Sequence, residues 1–191
     1  AYCVYVACEG GYKRVTEPQN GVDVYENVYL RVSPANTDIL NPAVVDAFIK
    51  ETHEKYYERF KDYFGKELVG FFTDEPQYYR WATPFAPAAA EAFTENGEDI
   101  RDGLIWLFKS DVRGYAFREK YYAEHNRLYV TNFYKKLYEW CGAHGCKLTG
   151  HSVEETSLGM QMWGGAGVMP TYEYEDIPAM DDLGRIPTSE L

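Results

Sequence analysis

Leu68-Val69-Gly70-Phe71-Phe72-Thr73-Asp74-Glu75-Pro76 is an apolar run that stops abruptly at two carboxylates and a proline. Apolar or small residues without alternation read as a strand buried on both faces, the habit of parallel sheets covered by helices. Charge appears only at the C-terminal end of the run. In barrels and open α/β sheets chemistry collects at that end, where loops converge and backbone donors are free. The stretch therefore predicts a carboxylate site at the top of a parallel strand.

Two further segments repeat the pattern. Tyr2-Cys3-Val4-Tyr5-Val6-Ala7 is β-rich and ends at Glu9-Gly10-Gly11, which makes Glu9 a second strand-end carboxylate. Cys146-Lys147-Leu148-Thr149-Gly150 leads into His151-Ser152-Val153-Glu154-Glu155. Between these strands lie helical patterns. Asn41-Pro42 is an N-cap followed by proline in the first turn, and Val45, Ile49, Thr52, Tyr56 and Phe60 then share one helical face, with Gly65 as the expected cap. Short helices are expected near 87–94 and 99–108, and a long one over about 114–141, closed by Gly145. Strand, helical crossover, strand, helical crossover, strand is the order of an α/β fold with one parallel sheet.

The chain reads as one domain over residues 1–191, with two irregular features. Residues 12–32 carry two strand-like runs around Asn20-Gly21 and predict a hairpin-like excursion. Residues 159–191 are rich in glycine, contain Pro170, Pro178 and Pro187, and show little periodicity, so an irregular segment is expected there.

Composition narrows the function. A net charge of -11 disfavours a nucleic-acid or anionic-membrane partner, because no uncompensated basic face is available for phosphates. No apolar run approaches the roughly 20 residues that span a bilayer, and nothing at the start resembles a signal peptide. Four cysteines, Cys3, Cys8, Cys141 and Cys146, lack paired zinc spacing and read as ordinary buried thiols. Eighteen tyrosines beside thirty acids suit a cleft that binds polyhydroxylated ligands, although tyrosine packed in a core is the commoner use.

Asp74 and Glu75 are adjacent, so on a regular strand they face opposite sides, and only one aims into a shared site while the other supports it. Carboxylates from different strand ends divide the work of general acid and nucleophile or base in glycoside hydrolysis. Just beyond, Gln77-Tyr78-Tyr79-Arg80-Trp81 reads either as a packed loop or as a substrate platform, with Tyr78 and Trp81 as its rings. His151, Glu154 and Glu155 are candidates for a substrate subsite or for a metal-dependent hydrolase, though they match neither zinc-protease spacing. Gly164-Gly165-Ala166-Gly167 lacks the strand and the Lys-Ser/Thr of a phosphate loop, and Ser152 and Ser157 lack a nucleophile elbow.

Phe72-Thr73-Asp74-Glu75-Pro76 resembles the Asn-Glu-Pro strand end of (β/α)8 glycoside hydrolases, with Asp74 where Asn is usual. Together with Leu40-Asn41-Pro42, Phe48-Ile49, Thr52-His53-Glu54-Lys55-Tyr56, Phe64-Gly65-Lys66, Gly150-His151-Ser152-Val153-Glu154-Glu155, Tyr172-Glu173 and Ile177-Pro178-Ala179-Met180-Asp181, it is similar to bacterial enzymes related to the α-L-rhamnosidase family 106. The resemblance spans about residues 28–185. It implies a partial (β/α)8 TIM-barrel-like parallel sheet, since a whole barrel needs about 250 residues. It further implies Glu75 as the general acid, Asp74 as its support, Asp181 in the substrate subsite, and a second catalytic carboxylate outside the chain. Carbohydrate is the implied substrate, Ca2+ an implied cofactor without assigned ligands, and cytoplasmic and secreted bacterial settings both stay open. A piece of barrel would leave sheet edges open to self-association and would be inactive alone. A non-catalytic carbohydrate-binding module is the alternative.

Overall fold

The computed structural model describes residues 1–32, 37–78, 83–165 and 167–181. In chain order its strands and α-helices are β1 (Cys3–Cys8), β2 (Gly11–Val15), β3 (Glu26–Val28), α1 (Pro42–Glu51), α2 (His53–Phe60), β4 (Gly70–Asp74), α3 (Pro87–Glu95), α4 (Tyr115–Tyr129), α5 (Lys135–Ala143), β5 (Lys147–His151), α6 (Leu158–Gly164) and β6 (Ile177–Pro178). A π-helical turn, Val130–Tyr134, joins α4 to α5. The chain forms a mixed α/β structure in two compact units, Ala1–Asn36 with Phe85–Glu124, and Thr37–Pro84 with His125–Leu191. Among the described residues no helix is long and apolar enough to cross a membrane.

The first unit is built on an antiparallel sheet of order β2-β1-β3. Its chemistry corrects two sequence expectations. β1 does not join the parallel sheet, because Glu9-Gly10 forms a two-residue hairpin loop that folds β2 straight back, with Cys8 opposite Gly11. The runs within 12–32 do not pair with each other either, since both edges of β1 are taken, one by β2 and one by β3. Tyr5 is fully buried and its hydroxyl donates to the Arg101 carbonyl. The expected helix over 99–108 is two short 3-10 turns, Ile100–Asp102 and Leu104–Phe108, broken at Gly103, which lies against the Phe117 ring.

The second unit holds the parallel sheet, of order β4-β5-β6. Register pairs Phe71 with Leu148, Thr73 with Gly150 and Asp74 with His151. Gly150 is required by close approach: a Cβ there would stand 2.1 Å from Thr73 Oγ1 and 2.3 Å from its carbonyl oxygen. Helices cover one face. Phe71 packs at 4.3 Å from the His53 ring and 5.7 Å from Trp140, and Leu148 is fully buried, worth about 2 kcal/mol of apolar transfer.

The other face is open, contrary to the expectation of burial on both sides. Phe72 is 58% exposed and Ile177 46% exposed. Val69 and Phe72 supplied the apolar continuity of the sequence, and both are solvent-facing.

Asn41 caps α1 as expected, its side chain accepting from the Ala43 amide at 3.0 Å. The helix then breaks at Thr52, whose hydroxyl donates to the Phe48 carbonyl at 2.6 Å. The break turns the buried stripe from the expected Tyr56 and Phe60, which are exposed, onto His53. In the segment from 159 on, the described residues are more ordered than its composition predicts. They contain most of α6, a 3-10 helix over Met169–Tyr174, and β6, a parallel strand only two residues long. Of the cysteines, Cys8 is exposed and the other three are buried thiols.

Candidate functional site

All three parallel strands deliver an ionisable side chain at or beyond the same edge of the sheet. Glu75 follows β4, His151 ends β5, and Asp181 lies three residues beyond β6. One ligand-capable atom from each lies within 4.8 Å of the other two. Glu75 and Asp181 are exposed, whereas His151 is 7% exposed.

The backbone explains how adjacent acids reach one imidazole. Glu75 adopts φ +47, a left-handed conformation uncommon for a residue with a side chain. Its amide still donates to the His151 carbonyl at 3.2 Å, so it stays tied to β5 while leaving the strand's alternation. Asp74, in register with His151, places Oδ1 3.1 Å from its Nε2. The expectation that only one of the pair reaches a shared site is therefore corrected. The left-handed turn removes the alternation on which that expectation rests.

Glu155 serves as an anchor between loops. Its Oε1 accepts from the Ser152 amide at 3.2 Å and from the Tyr172 hydroxyl at 3.4 Å, while Oε2 accepts from the Asp181 amide at 3.1 Å. This ties the turn after β5 to the segment after β6 and fixes where Asp181 begins. Burial and the neighbouring Glu155 charge push the Tyr172 hydroxyl up to about 12, so it stays a neutral donor. Glu154 is half-buried at φ +56. Neither Glu154 nor Glu155 joins His151 in a metal-ligating group; among the described residues the grouping is with Glu75 and Asp181.

One functional candidate escaped the sequence reading. Glu175 is 6% exposed, and neither of its carboxylate oxygens has a hydrogen-bond partner. Burial first, and the Glu155 charge second, raise its pKa to about 7, with His151 pulling in the opposite direction. The available signal was an acid set among Tyr172, Tyr174 and Ile177, directly before a strand.

The remaining expected residues fall elsewhere. Tyr78 is buried, its ring edge-on to Tyr129 at 5.5 Å and its hydroxyl donating to the Met162 carbonyl at 3.3 Å, so it is a packed wall and not an open platform. Trp81 lies outside the described residues. Glu9 sits exposed in the β1–β2 hairpin loop of the first unit.

The residues at the strand ends do not fit Ca2+. That ion takes six to eight oxygen ligands, whereas Glu75, His151 and Asp181 offer two carboxylates and an imidazole nitrogen. The arrangement can instead deliver a proton, orient a hydroxylated ligand by charge-assisted hydrogen bonds, or hold a borderline divalent ion. Comparison with protein-family models, curated proteins and solved structures finds no match for this chain.

Proposed function

We propose that the chain is a segment of the catalytic (β/α)8 barrel of a glycoside hydrolase, resembling the enzymes related to α-L-rhamnosidase family 106, with carbohydrate as its substrate. The observation that carries this reading is the convergence of Glu75, His151 and Asp181 from three consecutive parallel strand ends. Strand order that follows chain order, without reversal, is compatible with a stretch of barrel wall. The open face bearing Phe72, Thr149 and Ile177 suits the inner face of a barrel wall that further strands, pairing at the free edges of β4 and β6, would close and whose side chains would fill the interior.

In this reading Glu75 protonates the glycosidic oxygen as the leaving group departs. Asp74 at Nε2 and the Ser152 carbonyl, 3.4 Å from Nδ1, hold the His151 ring in place, so that Asp74 is kept beside the sugar subsite. Asp181 becomes the answering carboxylate. One of its oxygens lies within 4.8 Å of one of Glu75, which favours it over a residue outside the chain. Glu155 acts through Asp181 by holding its amide, and Glu175 bears on His151 from within the fold.

The test is a panel of aryl glycosides assayed with protein containing the whole barrel. Hydrolysis of at least one, abolished by Asp181→Asn and lowered by Glu75→Gln in proportion to how poor the aryl leaving group is, is the expected result. A panel without hydrolysis, alongside measurable sugar binding, would replace this reading with a carbohydrate-binding module.

A further inference from the structure

We infer that Tyr129 is a positioning residue for Glu75: its buried hydroxyl clamps the backbone directly after the acid, and the π-helical turn that follows Tyr129 sets it there. The catalytic consequence rests on the glycosidase reading; the clamp itself does not. The first ground is the contact. The Tyr129 hydroxyl donates to the Pro76 carbonyl, one residue beyond Glu75 and 53 residues away in sequence. Glu75 holds a left-handed φ of +47, which costs free energy in a residue with a side chain and persists only where the surroundings over-determine it. Its amide donates to the His151 carbonyl at 3.2 Å, so the turn is held on entry by β5 and on exit by Tyr129. Pro76 has a fixed φ, so pinning its carbonyl also restrains the peptide plane that follows Glu75.

The second ground is the helix. Tyr129 and Tyr134 are five positions apart, and in an α-helix of about 3.6 residues per turn they would point well away from each other. Val130–Tyr134 is instead a π-helical turn, closed by the Lys135 amide on the Val130 carbonyl. The wider turn brings the two rings together, edge to face at 5.2 Å, and puts the Tyr134 hydroxyl 3.3 Å from Ser152 Oγ. One helical turn thus reaches the loop after β4 through Tyr129 and the loop after β5 through Tyr134. Single π turns inside α-helices are rare and recur at functional sites.

The clamp is rigid. Tyr129 is 1% exposed, with Tyr78 edge-on at 5.5 Å and Phe133 parallel at 6.2 Å. A Cβ at Gly165 would stand 2.8 Å from Tyr129 Cε1, so the ring fills the space which that glycine leaves. Burial holds the Tyr129 hydroxyl well above its ordinary pKa, so it stays a neutral donor. Enclosed in this way, Tyr129 acts through Glu75 and not on substrate.

Two readouts on barrel-containing protein test the role. Amide hydrogen exchange, followed by mass spectrometry, needs no substrate. Tyr129→Phe keeps the ring, and circular dichroism checks the fold. The variant is expected to exchange the Glu75 amide roughly tenfold faster or more, while Gly70–Asp74 keep their protection. On a leaving-group series, its kcat/KM is expected to fall about 10- to 100-fold on alkyl glycosides and little on dinitrophenyl glycosides, because a misplaced acid matters only where protonation does. Tyr5→Phe is the matched control. Tyr5 is fully buried and its hydroxyl also donates to a backbone carbonyl, that of Arg101 in the first unit, so both readouts are expected to stay unchanged. An unprotected Glu75 amide in the wild type, unchanged Glu75 exchange in Tyr129→Phe, faster exchange spread evenly over the sheet, or a kcat/KM loss uniform across leaving groups overturns the inference. A wild type that cleaves no glycoside removes the glycosidase reading alone, and the exchange result still decides the clamp.

Discussion

Asp74 Oδ1 lies 3.1 Å from His151 Nε2 across neighbouring parallel strands, at positions in register. The Asp74 side chain is 79% exposed, so this contact holds the ring in place and adds little stability. Asp74→Asn is expected to change unfolding free energy by less than about 1 kcal/mol while lowering kcat roughly tenfold. Denaturant melts and steady-state kinetics on the same preparations separate the two effects.

Gly150→Ala tests the register that creates this contact. The added methyl would meet the Thr73 backbone and hydroxyl at 2.1–2.3 Å, and backbone cannot rotate away as a flexible side chain does. A loss of about 3 kcal/mol is expected, read as a lower denaturation midpoint with unchanged slope.

Glu175→Gln tests the buried acid. Its folded pKa, about 7, is raised above the usual 4.5, so the folded state binds its proton more tightly than the unfolded state. Stability from this group is complete below about pH 4.5, falls as pH rises, and reaches its minimum above about pH 7. The variant is expected to be more stable than wild type at pH 8, by up to about 3 kcal/mol, with the advantage gone by pH 4.

His53 supplies the opposite slope. It is buried against Phe48, Phe71 and Trp140, and burial lowers its pKa from 6.5 to about 4. Its contribution is present above about pH 6.5 and is lost as pH falls toward 4. In the Glu175→Gln background, stability is therefore expected to rise between pH 4 and 6.5. Urea titrations at several pH values check the sign, and a continued fall would refute the assignment.

What could be read from sequence was local. The apolar run ending in Asp74-Glu75-Pro76 located the strand and its acids, and Asn41-Pro42 located a helix start, because each signal acts through its own backbone. Pairing was not legible. The apolar pattern of Cys3–Cys8 fits either sheet, and only the Glu9-Gly10 loop commits it to an antiparallel one. The left-handed turn at Glu75 was also hidden, since nothing but the tie to His151 distinguishes it from extended strand. Glu175 escaped because an acid between tyrosines reads as solvated until the 3-10 helix Met169–Tyr174 and β6 bury it. Asp181 was placed in the site only through resemblance; the Glu155 anchor gives it a physical reason to be there.

The central claim is that Glu75 protonates the leaving group, and a leaving-group series tests it most directly. Barrel-containing protein and its Glu75→Gln variant are compared on glycosides of one sugar, with aglycones running from dinitrophenol to simple alcohols. A dinitrophenolate leaves without protonation, and an alkoxide does not. The variant is expected to keep near-normal kcat/KM on dinitrophenyl glycosides and to lose about 10²–10⁴-fold in kcat/KM on alkyl glycosides. A uniform loss across the series, or none, would contradict the assignment of Glu75 as the acid.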